Sequence, residues 1–203
     1  MSGNLADLVL TFSVVVVTAL LVAFYVSWRA SRLDRLHTRL ETARAALEAA
    51  MARRHAAVVE LAASAHLEPA SRILLADAAG RALRADRDQE PEPAQGAEPL
   101  EQAESALSGT LRAVLEEPGV PEELRRVPGG QAALGELLAQ ARRLQLARRF
   151  HNDAVATIRQ ARHRWLVRVL RLAGHAPLPE YVEMDDQPPD LPDDWPRPPA
   201  ATG

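Results

Sequence analysis

The 203-residue chain carries 24 basic residues, all of them arginine, against 27 acidic residues, and it contains no cysteine. The absence of cysteine excludes disulfides, thiolate metal sites and cysteine nucleophiles. The net charge of −3 hides strong segregation, because residues 125–175 hold 11 Arg and 2 acids whereas residues 176–203 hold 1 Arg and 7 acids. Each block of the chain therefore calls for its own interpretation.

An uncharged apolar segment dominates the N-terminal part of the chain. Residues 8–28, LVLTFSVVVVTALLVAFYVSW, contain no charge, and as a helix they would be about 31 Å long, close to the thickness of a bilayer's hydrocarbon core. Tyr25 and Trp28 stand at its end, where aromatic rings favour the headgroup level. Residues 1–7 lack the basic residues of a signal peptide, and no A-x-A site follows the apolar run. The pattern predicts a transmembrane helix in contact with membrane lipids.

Basic residues follow this segment directly, beginning with Arg29, Arg32 and Arg35. Basic residues flanking a span stay on the cytoplasmic side of a membrane. We therefore expect a single-pass protein of the cell membrane, with residues 1–7 outside and everything after residue 28 in the cytoplasm.

The region 29–175 shows helical periodicity with few breaks. Its first helix has a heptad-like seam and lacks Gly and Pro up to Glu68. A short helix over 69–86 is expected to bury Ile73 and Leu74, and the Pro- and Glu-rich stretch 88–99 is predicted to be a loop. The seam comprises Leu33, Leu36, Leu40, Ala43, Leu47, Met51 or Ala50, Arg54, Val58, Leu61 and Ala65.

Two further helices are predicted in the same region. A short one begins near Pro99, and a long one covers about residues 131–173. With no convincing strand pattern, the fold class is all-α: a transmembrane helix followed by an antiparallel bundle of about four helices, two long and two short. The acidic, Pro-rich segment 176–203 is predicted to be a disordered tail.

An antiparallel arrangement would return the long fourth helix toward the membrane. Arg164, Arg168 and Arg171 would then lie near the anionic inner leaflet, each contributing about 1 kcal/mol if close to its surface. Together with Arg29, Arg32 and Arg35 they form a predicted set of membrane-proximal basic contacts.

Two polar residues, Arg54 and His151, interrupt the apolar seams. A buried arginine needs an acceptor, which His151, Asp153 or a carboxylate of the two short helices could supply. One hypothesis is a polar layer of Arg54, His151 and Asp153 that fixes the register of the bundle. The alternative is that Arg54 extends to solvent along its stem and His151 is a half-exposed flank residue.

Three segments carry a family resemblance. LARRFHNDAV (146–155) resembles the R-x-Y-N-x-x-V segment of the LemA family, although His151 replaces the aromatic residue before Asn152. AAMARRHAAVVELA (49–62) is similar to that family's paired basic residues on the first helix, and AESALSGTLRAVLEEP (103–118) to its small-residue helix ending near a proline. The resemblance implies a membrane-anchored helical bundle without an established biochemical activity.

No motif for catalysis, for a metal or for another cofactor is recognisable in the sequence, so we expect no enzymatic activity. The six histidines have no i, i+4 pair, and nucleic acid is not expected as a partner because aromatic stacking residues are nearly absent from the basic helix. The sequence favours a structural or interaction scaffold with an unidentified protein partner. The alternative is a membrane-surface module that binds anionic lipid through its Arg-rich fourth helix. Self-association through either seam is left open.

Overall fold

The computed structural model describes the backbone of most of the chain and shows an all-helical protein. Within the described residues the chain forms five α-helices and no β-strand, which confirms the predicted all-α class. The described residues are 2–64, 66–88, 99–163, 178–191 and 195, without the side chains of residues 2–9, 26, 29–33, 162 and 163.

The five helices follow one another with short connections, except where residues 89–98 lie outside the described chain. Proline stands at or next to the first position of α2 and α4, where its missing N–H costs no helical hydrogen bond. The helices are α1 (Ser2–Ala63), α2 (Pro69–Arg87), α3 (Leu100–Leu115), α4 (Val120–Arg126) and α5 (Gly130–His163).

The first helix is continuous from Ser2 to Ala63, as the lack of Gly and Pro between Ala30 and Glu68 predicts. Within the part of the chain that the structure describes, no helix combines the length and the apolar character that a membrane crossing requires. The transmembrane helix proposed for residues 8–28 thus stays a prediction.

The helix α4 is an element that the sequence pattern did not predict, since residues 118–130 look like a succession of breaks. Gly119 precedes it with φ 97° and Gly129 follows it with φ 87°, a backbone conformation that glycine adopts without strain. The predicted long helix 131–173 corresponds to α5, and residues 164–173 of that prediction lie outside the described chain.

The chain divides into two compact units, of which the first comprises Met1–Thr42 and Ala154–Glu180. In this unit the large apolar side chains of α1 that the structure describes between Leu10 and Trp28 are exposed. The end of α5 buries Ala154, Val155 and Ile158.

The second unit comprises Ala43–Asp153 and Tyr181–Gly203, and it holds the bundle core. The predicted seams are buried here, from Leu47 to Leu61 on α1 and from Leu137 to Leu144 on α5. These side chains join those of α2, α3 and α4 in apolar clusters, which supports the prediction of a helical bundle.

The buried face of α2 differs from the expected one. Ile73 and Leu74 are 69% and 57% exposed, so the prediction that they are buried is wrong. The helix instead turns Leu75 and a row of alanines into the core, and small side chains let two helix backbones approach closely. The alanines are Ala78, Ala79, Ala82 and Ala85.

Part of the acidic C-terminal segment packs within the second unit. Residues 181–191, which we call the strap, have no helix or strand, yet they bury Met184, Asp186 and Pro189. Only over residues 181–191 does the structure differ from the disordered tail predicted for residues 176–203, because hydrogen bonds and ion pairs to α3 and α5 fix the strap where its own apolar content is low. Residues 176–177, 192–194 and 196–203 of that prediction lie outside the described chain.

Candidate functional site

A buried ionic cluster joins α1 to α3 in the middle of the bundle. The guanidinium of Arg54 pairs through Nη2 with the carboxylate of Glu104, and its Nη1 donates a hydrogen bond of 2.9 Å to Oγ of Ser108. The side chains of Arg54 and Glu104 are 2% and 0% exposed. Water is therefore excluded from this pair, and the two charges depend on each other.

His55, the neighbour of Arg54 in the chain, binds the second carboxylate oxygen of Glu104 through Nε2. Glu104 and Ser108 lie one helical turn apart on α3, so both face the same partner helix. Ser108 Oγ in turn donates to the backbone carbonyl of Glu104 at 3.1 Å. The carboxylate thus receives donors on both oxygens, as a buried charge requires.

Neighbouring positive charge and burial have opposite effects on the pKa of Glu104. Burial raises the pKa of Glu104, whereas the hydrogen bond with His55 and the positive charge of Arg54 lower it and prevail. The pKa of Glu104 therefore lies below its ordinary value, and the carboxylate stays ionised at neutral pH. A carboxylate that is ionised and shut off from solvent is suited to hold helices together.

A second set of polar contacts fixes the strap to the bundle surface. Asp185 pairs with Arg112 of α3, and Asp186 pairs with Arg148 of α5 through two hydrogen bonds of 2.6 and 3.0 Å. The hydrogen bond from Arg112 lowers the pKa of Asp185 despite its partial burial. Each acidic residue of this adjacent pair therefore binds a different helix.

Side chains of the helices bind backbone groups of the strap. The side-chain amide of Asn152 exchanges two hydrogen bonds with Val182, donating to its carbonyl at 3.1 Å and accepting from its N–H at 3.0 Å. The N–H groups of Glu183, Asp185 and Asp190 donate to side chains at 2.8–3.1 Å. The acceptors are Glu101, Ser105 and Glu116, which stand on α3 or at its C-terminal end.

Apolar anchors accompany these polar contacts. Met184 is 7% exposed and packs in a cluster with Leu47 and Leu144, and Leu191 packs against the main core. Beyond the strap, Trp195 is 4% exposed, and the guanidinium of Arg125 lies 5.1 Å from its ring centre. The acidic segment thus buries apolar side chains at several points along the bundle.

The residues of the predicted polar layer occupy different environments. Arg54 is buried and finds its acceptor in Glu104, a carboxylate of one of the short helices. His151 is buried on α5, and Asp153 is exposed. The sequence alone did not single out His55, Glu104 or Ser108.

The predicted membrane-proximal arginines fall largely outside the described residues. The side chains of Arg29 and Arg32 are not described, and Arg35 is exposed. The remaining three residues, Arg164, Arg168 and Arg171, lie outside the described chain.

A metal site is absent from the described residues, which contain no group of three or more His, Asp or Glu side chains placed to hold a metal ion. A signal for the ionic cluster did exist in the sequence: Glu104 stands beside the apolar stripe of α3, at helical spacing from Ser108. The side-chain amide of Asn152 had no such signal, because its partner Val182 is 30 residues away in an irregular segment.

Comparisons with protein-family models, with curated proteins and with solved structures found no match to this chain.

Proposed function

We propose that this protein is a single-pass, membrane-anchored scaffold whose helical bundle binds a protein partner at the cytoplasmic face. The observation that carries the anchor is the exposure of apolar side chains along the first part of α1. The consecutive residues Val14, Val15, Val16 and Val17 are 58%, 60%, 39% and 55% exposed. Successive residues of a helix point about 100° apart, so these four valines present apolar side chains on all sides of the helix.

The surrounding sequence supports the same interpretation. Residues 8–28 contain no charge over 21 positions, and exposed apolar surface of this extent is typical of contact with lipid or with another protein. Arginines beginning at Arg29 follow the segment, which favours a cytoplasmic bundle. Membership of the LemA family is likewise a proposal, and it rests on the three segments quoted above.

An interaction role is favoured over catalysis by the enclosure of the ionic cluster. Glu104 is 0% exposed, and its oxygens are taken by Arg54 and His55. A substrate would have to break these contacts to reach the carboxylate. We therefore assign the cluster a stabilising role and propose no enzymatic activity.

Membrane retention under alkaline extraction tests the anchor. The full chain should stay with the membrane fraction, whereas Val16→Arg combined with Leu20→Arg should release it, because each arginine at the centre of a span costs about 2.5–3.5 kcal/mol. The control is Ala45→Arg combined with Ala46→Arg, at exposed positions of the same helix outside the apolar segment. Equal retention of both double variants, or extraction of the unaltered chain, would refute the anchor.

A second candidate function is binding of anionic lipid by the exposed face of α5. Arg142, Arg143 and Arg149 are exposed on this face together with Leu146 and Phe150, which are 50% and 55% exposed. Basic and apolar side chains on one helical face are typical of contact with a membrane surface. Hydrogen exchange on the full chain in nanodiscs should then show protection of residues 142–150 with anionic lipid at low salt, and none with neutral lipid.

A further inference from the structure

The strap lies along α3 as an extended chain. Its residues Glu183 and Asp190 donate backbone hydrogen bonds to Glu101 and Glu116, which are separated by about 22 Å along the helix axis. Seven residue steps of the strap therefore run beside about four turns of α3 without forming a helix or strand. The surface of α3 and α5 is thus matched to an extended peptide.

Recognition of this segment depends mostly on its backbone and its two adjacent carboxylates. Asn152 holds Val182 by both backbone groups, Ser105 accepts from the N–H of Asp185, and Arg112 donates to the carbonyl of Gln187 at 3.0 Å. Main-chain contacts of this kind give affinity to any extended segment, while pockets and charges give selectivity.

The surface of α3 and α5 that the strap covers, which we call the groove, presents two arginines to acidic side chains of its ligand. Two carboxylates of the same surface, Glu101 and Glu116, accept backbone N–H groups of the strap instead. Arg112 and Arg148 stand on opposite sides of the strap, on α3 and α5, and receive Asp185 and Asp186. The hydrogen bond with Asp186 also raises the pKa of Arg148. Outside the ion pairs, Arg142 adds a further positive charge beside Pro188 and Leu191.

Each of the two ion pairs that hold the strap has an arginine that is about a quarter exposed to solvent. The side chains of Arg112 and Asp185 are 26% and 39% exposed, and those of Arg148 and Asp186 are 25% and 10% exposed. Pairs in contact with water contribute roughly 0–1 kcal/mol each and weaken with salt. They contrast with the pair of Arg54 and Glu104, which is closed to water.

We propose that the groove between α3 and α5 is a binding site for an extended acidic segment of a partner protein, and that the strap occupies this site until such a segment displaces it. The ligand chemistry follows from the strap: an apolar residue, two adjacent carboxylates and a proline pair, as in VEMDDQPP from Val182 to Pro189. The inference deepens the proposed scaffold function and rests on it, since it names the kind of partner. It does not depend on the membrane anchor.

Occupation by the strap lowers the apparent affinity of the groove. A peptide that competes with it binds only the open fraction, so the dissociation constant measured is the intrinsic one divided by that fraction. Substitutions that weaken the contacts of the strap without altering the groove should therefore tighten the binding of an added peptide.

The experiment uses the full chain in detergent and a fluorescent synthetic peptide, EYVEMDDQPPDL, with the sequence of residues 180–191. The strap is weakened by Asp185→Asn combined with Asp186→Asn, and Asp190→Asn is the matched control because that carboxylate makes none of the described ion pairs. We expect severalfold tighter binding, and at most about thirtyfold, by the double variant than by the unaltered chain and by the control. Adding Arg148→Glu to the double variant should abolish the gain.

Three results would overturn the proposal. The first is that the double variant keeps its helical circular dichroism but fails to bind the peptide. The second is that a peptide with asparagine at the positions of Asp185 and Asp186 binds as well as the original, which would mean that these carboxylates are not recognised. The third is that the double variant forms dimers in which each chain places its tail in the groove of the other. The occupant of the groove would then be a second copy of the chain. Membrane retention of the same samples is measured separately, so that failure of the anchor and failure of the groove can be told apart.

Discussion

Arg54 of α1 and Glu104 of α3 form an ion pair that is closed to water, with side chains 2% and 0% exposed. Ser108 accepts a hydrogen bond from Nη1 of Arg54, and His55 binds the other carboxylate oxygen of Glu104. A buried pair of this kind is costly to break from one side, because the surviving charge keeps its desolvation penalty and loses its partner. The pair therefore fixes how α1 and α3 are aligned.

Removal of either charge should destabilise the bundle strongly. We expect Arg54→Leu and Glu104→Leu each to lower the free energy of unfolding by about 3–5 kcal/mol. The double variant should lose less than the sum, since it leaves neither of the two charges unpaired, and denaturant unfolding of the four chains measures this coupling. The control is Arg53→Leu at the exposed neighbouring position, which should change stability by less than about 0.5 kcal/mol. Unchanged thermal stability and oligomeric state in Arg54→Leu would refute the role given to the pair.

Stability should fall in acid because of Glu104. Its pKa is lowered in the folded chain, so its contribution is fully present above about pH 4.3, the value for an unfolded chain, and is lost as the pH falls through the folded value. Asp185, whose pKa is also lowered, acts in the same direction from about pH 3.9 downward. Denaturant unfolding between pH 7 and pH 3 should show this decline.

The comparison chain for the acid experiment is the double variant Arg54→Leu and Glu104→Leu. It lacks the buried carboxylate and should show a shallower decline of stability below about pH 4.3. An identical slope in both chains would mean that Glu104 has the same pKa folded and unfolded.

Release of the strap should follow from the loss of one side chain. Asn152→Ala removes both hydrogen bonds to Val182, each worth about 0.5–1.5 kcal/mol. Amide exchange at Val182 should accelerate, whereas exchange at Leu144 in the core of α5 should stay slow. Gln131→Ala, at an exposed position on the same helix, should leave the exchange of the strap unchanged. Equal rates in all three chains would show that Asn152 does not hold the strap.

The first turns of α5 contain two glycines, Gly130 and Gly135, that permit a matched pair of substitutions. A Cβ at Gly130 would overlap the backbone carbonyl of Leu124, so Gly130→Ala should cost about 1–3 kcal/mol. A Cβ at Gly135 would meet no atom within 4 Å apart from its chain neighbours and the nearby backbone of its own helix, so Gly135→Ala should stabilise the helix by about 0.5–1 kcal/mol. Thermal unfolding of the two variants should therefore shift in opposite directions. Similar shifts would contradict the close approach of α5 to Leu124.

The fold class and the seams could be predicted because the helical spacing of apolar residues depends only on residues close together in the sequence. Leu47 and Leu61 on α1 and Leu144 on α5 are buried where the spacing places them. The short helix α4 spans seven residues, too few for a periodic pattern, although Pro121 is a signal for a helix start. On α2 the sequence offers two apolar faces, and only tertiary packing selects Leu75 over Leu74.

The candidate site was harder to predict because it depends on contacts between distant segments. A buried Arg54 demands an acceptor, but Glu104 lies 50 residues away in the chain and only the packing of α1 on α3 selects it. The strap has the composition of a disordered tail. Its order comes from side chains of other elements, such as Asn152 and Arg148, and composition does not report these.

Topology in intact cells tests the central claim, a membrane anchor with a cytoplasmic bundle, most directly. The chain contains no cysteine, so Ser2→Cys and Thr202→Cys give two single-cysteine proteins without background labelling. With a thiol reagent that does not cross membranes, the account predicts labelling of Ser2→Cys only. Labelling of Thr202→Cys only would place the bundle outside the cell and contradict the account.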